Sequence, residues 1–421
     1  GGGAFTNNGQ WTIASGQTLT MNGASLSFTQ AAGNLNALGT FELTSGTFNF
    51  DGGMVTGGAP LLTNAALHIG AGSTGAASFV MRGTGGAFSG DLAAGQTLTV
   101  RGDSTINSAV AVAGSTVNEG IIDLTTVGAA TSAAFNGAGT LVNMNEVRIS
   151  QGAGGARTLG IELDNRADLI LQRNVTVGRA GANSVNSSDI DLMGTTMTLI
   201  GDSFTNQSGG LIRGNGGFGT TGLGAFVNAG VISPGDSIGT IAFTGGFGQS
   251  ATGLLEIEID GTGVGGSDRL TITGAASLGG GVDVTLLGGF VPDWGDRWSI
   301  LTYQSFTGDL LVSAPSLSDP DLRWWSEATN DSFDIGVRHV ADVNHDDFVN
   351  FADLNLILSF FNMSGVGLPG DANEDGDVNF ADLNIVLSFF NTQAPPNAVP
   401  APGAMLLLLA GVATPVRRRR R

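Results

Sequence analysis

"QWTIASGQTLTMNGASLSFT" occupies Gln10–Thr29. Apolar and small polar residues alternate along it, and Gly or Asn interrupts the runs every few residues. A period of two is the spacing of a strand with one buried face. The same texture continues in "GTFELTSGTFNFDGG" (Gly39–Gly53) and "ADLILQRNVTVG" (Ala167–Gly178), and "GQTLT" occurs at Gly16 and again at Gly95. No helical periodicity of useful length appears between Gly1 and about Ala225. Short, weakly repeated strands imply coils stacked on one another, each burying its apolar face against its neighbours. The expectation is a mainly β chain with a right-handed parallel β-helix or solenoid over residues 1–225. An array of β-sandwiches is the alternative.

Glycine supplies 69 of the 421 residues, well above the usual share of about 7%. Only 13% of residues are charged, yet the net charge is −19, and all 17 basic residues are arginine, five of them at the end of the chain. A surface this acidic repels nucleic acid and anionic lipid, so neither is an expected partner. The absence of cysteine rules out disulfides, thiolate metal sites and cysteine nucleophiles. The opening "GGGAFTNNGQW" has neither a methionine nor a signal segment, which fits either a removed signal or a fragment.

From about Phe226 to residue 340 the strands lengthen, in "GLLEIEIDG", "DRLTITGAASLGGGVDVTLLGGF" and "GDRWSILTY". They follow the turn "GVISPGDSIGT" at Gly230–Thr240. Val227–Leu311 resembles the C-terminal part of autotransporter-type β-helical passengers. The resemblance implies a β-rich cap to the solenoid and carries almost no information about activity.

Few residues suggest catalysis. Glu256, Glu258 and Asp260 alternate along one strand and face one way. They read either as a carboxylate pair for sugar cleavage or as the solvated face of an amphipathic strand. His68, His339 and His345 lack the spacing of a zinc site or of a nucleophile's base, and "GNGGFG" at Gly214 lacks the strand–loop–helix context of a nucleotide loop. Trp324 and Trp325 form either a sugar-stacking platform or the cover of a core's end. An enzyme is the less expected outcome.

The sharpest signal is a duplicated acidic loop. "DVNHDDFVNFADLN" begins at Asp342 and "DANEDGDVNFADLN" at Asp371; extended to Asn362 and Asn391, the copies agree at 15 of 21 positions. Side-chain oxygens fall at positions 1, 3, 5, 9 and 12: Asp342, Asn344, Asp346, Asn350 and Asp353, then Asp371, Asn373, Asp375, Asn379 and Asp382. Calcium takes six to eight hard oxygens, and a loop curling around the ion presents alternate residues to it. The position-7 carbonyl of Phe348 or Asp377 supplies another oxygen. Two Ca2+ ions are therefore expected. Position 6 needs a positive φ, met by Gly376 but by Asp347 in the first loop, so the first site is expected to be the weaker. A short helix with an apolar stripe should follow each loop: Leu354, Ile357, Leu358 and Phe361, then Leu383, Val386, Leu387 and Phe390. The two stripes should bury each other.

Aspartate at position 12, and no long helix before either loop, resemble a type I dockerin over Asp342–Asn391. The resemblance implies a small α module, 341–393, made of two EF-hand-like loop–helix repeats. It also implies a cohesin-like partner, met through Phe351-Ala352 and Phe380-Ala381 in two orientations. The remaining residues, 394–421, hold "VPAP" at Val399–Pro402, an apolar run Gly403–Val416 and Arg417–Arg421. A run of 14 is short for a permanent span, which takes about 20 residues. This pattern resembles the PEP-CTERM sorting tail, which implies processing by an exosortase-type enzyme at a bacterial inner membrane. The alternative is a plain tail anchor. The sequence thus points to an exported cell-surface or extracellular-matrix protein, structural or adhesive, that attaches through a calcium-binding module. The alternative is a polysaccharide-degrading enzyme or carbohydrate-binding protein on a β-helix, with extracellular polysaccharide as its partner.

Overall fold

The computed structural model describes residues 2–263 and 265–395. They form a β-solenoid of about 11 turns, 53% strand and 5% helix, with two short helices near the C-terminus. The sorting tail expected at Val399–Arg421 lies outside the described residues. Among the described residues no helix is long and apolar enough to cross a membrane.

Each early coil has three strands on three faces. Ala4–Asn7, Gln10–Ile13 and Thr18–Asn22 are followed by Ser27–Gln30, Asn34–Ala37 and Thr40–Thr44. Each of these strands pairs in parallel with one a coil later, so that Phe5, Phe28, Phe48 and Leu67 are successive partners. Continuous parallel pairing of this kind displaces the β-sandwich alternative, which needs antiparallel ladders. Each "GQTLT" opens a strand, and the corner before it is turned by a glycine in the left-handed region, Gly16 at φ 73° and Gly95 at φ 82°. Such a φ strains any side chain and costs glycine nothing.

Alternation puts every second side chain inside. Phe28, Phe41 and Phe48 stack there with ring centroids 5.0–5.7 Å apart, and Phe204, Phe218, Phe226, Phe243 and Phe247 form a second stack. One interior row is polar. The side-chain amides of Asn118, Asn143, Asn165, Asn186, Asn206 and Asn228 each donate to the next, and Asn228 donates to Gln249, over 2.8–3.2 Å. Each of these asparagines also donates to a main-chain carbonyl, for example Asn143 to Asp168 and Asn165 to Ala167. All six are fully buried, so such bonding is required of them. The row ends where Leu92 lies in register with Asn118 and leaves the Asn118 Oδ1 without a donor.

The change of texture at Phe226 falls inside one continuous strand, Gly216–Asn228. The coils wind on to Leu311–Ser313. What changes is coil length. Thr176 is in register with Thr198, whereas further on Thr240 is in register with Arg269, across a longer coil. The stack closes when Arg297–Thr302 accepts Ser332–His339 as an antiparallel neighbour, itself hairpinned with Leu322–Ala328. This hairpin covers the parallel edge on its face, which would otherwise be open for pairing.

Candidate metal centre

The chain leaves the cap at His339 and enters the first acidic loop at Asp342. Two helices follow the two loops, α1 (Phe351–Phe360) and α2 (Phe380–Ser388). Each begins at an asparagine N-cap, Asn350 or Asn379, whose side chain accepts from the amide two residues on, with Asp353 or Asp382 completing a capping box. Position 9 therefore starts the helix, and position 12 sits in its first turn, where the helix dipole favours a carboxylate.

The two loops share one set of internal bonds. Asp342 accepts from the amides of Asp346 and Asp347, and Asp371 from those of Asp375 and Gly376. Asp353 accepts from Val343, Asn344 and Asn350, and Asp382 from Ala372, Asn373 and Asn379, over 2.8–3.2 Å. Asn344 and Asn373 each donate to the position-5 carboxylate, Asp346 or Asp375. Asp347 (φ 67°) and Gly376 (φ 88°) hold the left-handed turn at position 6. Position 4 is left-handed too, at His345 (φ 60°) and Glu374 (φ 61°), a requirement that ligand spacing alone does not reveal.

Ten of the twelve expected donors thus lie on the loops and two, Asp353 and Asp382, in the first turns of α1 and α2; Asp342, Asp353 and Asp382 are fully buried. None of their carboxylates forms an ion pair among the described residues; Glu374, at position 4, does so with Arg338 at 3.1 Å. Burial, together with the nearby Asp353 carboxylate, pushes Asp342 up to about 6. Burial, with Asp346 adding to it, raises Asp353. The donor set is oxygen throughout, the kind calcium takes. In this conformation the carboxylates point to main-chain amides, and among the described residues no group of three or more acidic or histidine side chains is close enough to hold a metal ion.

The helices depart from the expected stripe. Ile357 and Val386 are buried, but Leu358 and Leu387 are 58% and 52% exposed. With helices of 10 and 9 residues, only one buried apolar position per helix reaches the centre. There Ile357 and Val386 join Val349 and Val378. Each of these valines pairs with main chain beyond the other repeat's helix: Val349 with Asn391 and Thr392, Val378 with Asn362 and Met363. The phenylalanines cross over likewise, Phe351 on Phe390 and Phe361 on Phe380, each pair 5.0 Å apart and edge to face.

The module is seated on the cap by residues that no sequence spacing revealed. The Trp294 indole donates to Asp342 at 3.3 Å from far back in the chain. His339 lies between Trp294 (5.1 Å) and Phe389 (4.3 Å), and burial lowers its pKa.

The other sequence candidates are placed as follows. Trp325 carries Arg297 over its ring at 4.7 Å and stacks with His345 at 6.1 Å, while Trp324 packs on Trp298 and donates to the Pro315 carbonyl. Trp324 packs against the core. Glu256 and Glu258 lie on the outward side of a strand, Glu256 beside Asp283 and Glu258 beside Thr285. His68 contacts the Ser89 hydroxyl. Compared with protein-family models and with curated proteins, the chain matches none.

Proposed function

We propose that this is an exported, structural or adhesive protein whose coil stack ends in a dockerin-like module clamped by two calcium ions. The observation that carries this reading is the duplicated loop, in which buried carboxylates form no ion pair among the described residues yet recur with the same main-chain bonds in the second copy. Buried charges of this kind are otherwise paired or bound to metal. Asp342, Asn344, Asp346, the Phe348 carbonyl, Asn350 and Asp353 would hold one ion; Asp371, Asn373, Asp375, the Asp377 carbonyl, Asn379 and Asp382 would hold the other. Calcium would neutralise the repulsion between the carboxylates and fix the start of each helix. The exposed Phe351 and Phe380, with Ala352 and Ala381, would offer a cohesin-like partner two equivalent faces. Export and cell-surface placement rest on the pattern at Val399–Arg421 alone. Isothermal titration of the full chain with calcium tests the reading. Two ions should bind, Asp353→Ala and Asp382→Ala should each remove one, and uptake of no calcium would overturn it.

A further inference from the structure

Seven of the twelve described arginines have a carboxylate within 4.0 Å: 82, 101, 148, 166, 213, 323 and 338. In a chain with 36 acidic residues, the other five stand out, and two of them line one cavity of about 720 Å³. Arg157 is fully buried and spends its donors on neutral acceptors, among them the carbonyls of Leu124, Gln151 and Gly154 and the Thr126 hydroxyl. Arg173 is half-buried and makes no hydrogen bond or ion pair among the described residues. Its charge acts repulsively on Arg157 and, after burial, lowers the pKa there. No acidic residue lines the cavity.

The cavity arises from a step in corner length. Seven residues, 150–156, turn the corner between Ile149 and Arg157, whereas the next two coils turn it with three, 172–174 and 192–194. The longer loop overhangs the shorter ones, so Gly155 and Ala156 form a wall. Thr176 and Thr198, in register on successive coils, form the floor. Gln172 and Asn174 stand beside Arg173 at the rim.

We propose that this recess binds an acidic sugar unit of a polysaccharide, with its carboxylate on Arg173 and its hydroxyls on Gln172, Asn174 and the floor threonines. A guanidinium matches a carboxylate with two parallel bonds, and hydroxyl and amide groups match a polyhydroxy ring. The volume lies within the range of small-ligand sites, roughly 300–1,000 Å³. The net charge of the chain does not forbid an anion here, because salt screens charges beyond about 8 Å, the only charged residues of the lining are arginines, and the neighbouring Asp191, which accepts from the Met193 amide, is paired with Arg213. The site is independent of the calcium loops.

The test is calorimetric titration of the full chain with β-1,4-linked glucuronic acid tetramer, with cellotetraose as its neutral counterpart, and with sodium sulfate. The acidic tetramer should bind, and Arg173→Gln should weaken it roughly tenfold, the loss expected for one charge-assisted pair. The melting temperature should be unchanged, since the Arg173 side chain makes no hydrogen bond or ion pair among the described residues. Arg166→Gln, which removes an exposed partner of Asp164, should leave binding as it was. Equal binding of cellotetraose, equal binding of sulfate, or an Arg173→Gln variant that binds like the parent would each overturn the assignment.

Discussion

The Asn118–Gln249 row and the Asp342–Asp353 loop are both polar and both buried, yet they are stabilised differently. In the row each amide after Asn118 is donor to one coil and acceptor from another, so the interior closes on itself without charge. In the loop each buried carboxylate accepts several main-chain amides and forms no ion pair among the described residues. The coil stack also buries apolar side chains over its whole length, whereas the module centres on a handful, Val349, Ile357, Val378 and Val386 among them. Helices as short as α1 and α2 are not stable alone. One region should therefore stand without help and the other should depend on what it binds.

The largest expected effect separates the two directly. Under chelator, amide exchange across 341–395 should rise to nearly the unfolded rate while the strands of the coil stack stay protected. Mass-spectrometric exchange with and without calcium measures this, and protection of α1 and α2 in excess chelator would erase the contrast. A smaller effect belongs to the stack. Asn165→Leu removes the amide that links Asn143 to Asn186 inside the core and leaves both neighbours short of a partner, at a cost of about 2–4 kcal/mol. The melting temperature of the strands should fall while calcium uptake is unchanged; a calcium defect would mean that the regions are coupled.

A third effect is pH-dependent and has opposite signs in the two regions. Asp268 is fully buried and burial pushes it up to about 7, although it accepts from Gly239 and Glu258. Its unfolded value is about 3.9. The folded state therefore holds the proton more tightly. The stability this contributes is fully present below the unfolded value and is lost as pH rises through the folded one. The loss is spread over the whole interval, so each step of a pH series shows only a fraction of it. Asp268→Asn should flatten that slope in thermal melts. Acidification should instead weaken the module, because its ligands bind calcium only when ionised.

Much of the coil stack was legible because alternation is a local property of the chain, repeated in nearly every strand. The length of a coil was not read, though a signal existed: an asparagine ends the strand at 118, 143, 165, 186, 206 and 228, at nearly even intervals. The boundary set at Phe226 followed the texture of the outward residues, whereas the inward rows run straight through it. In the module the repeat anticipated two equivalent loops, each followed by a short helix, because positions along a single loop are local. The exposure of Leu358 and Leu387 was not legible, since it depends on how two short helices cross. The seat of Asp342 against Trp294 and the recess at Arg173 depend on the folded path and on corner lengths in successive coils.

The hairpin Leu322–Ala328 and Ser332–His339 closes the stack at the end from which the module hangs. The coils before it all present the same three edges to their neighbours. Duplication or loss of a coil-sized segment there would leave the cap and the module beyond it untouched. Because adjacent strands sit about 4.8 Å apart, each such event would move the module by about that distance along the axis. Evolution could thus adjust how far the attachment point stands from the rest of the molecule in small, nearly uniform steps, as a ruler is cut to length.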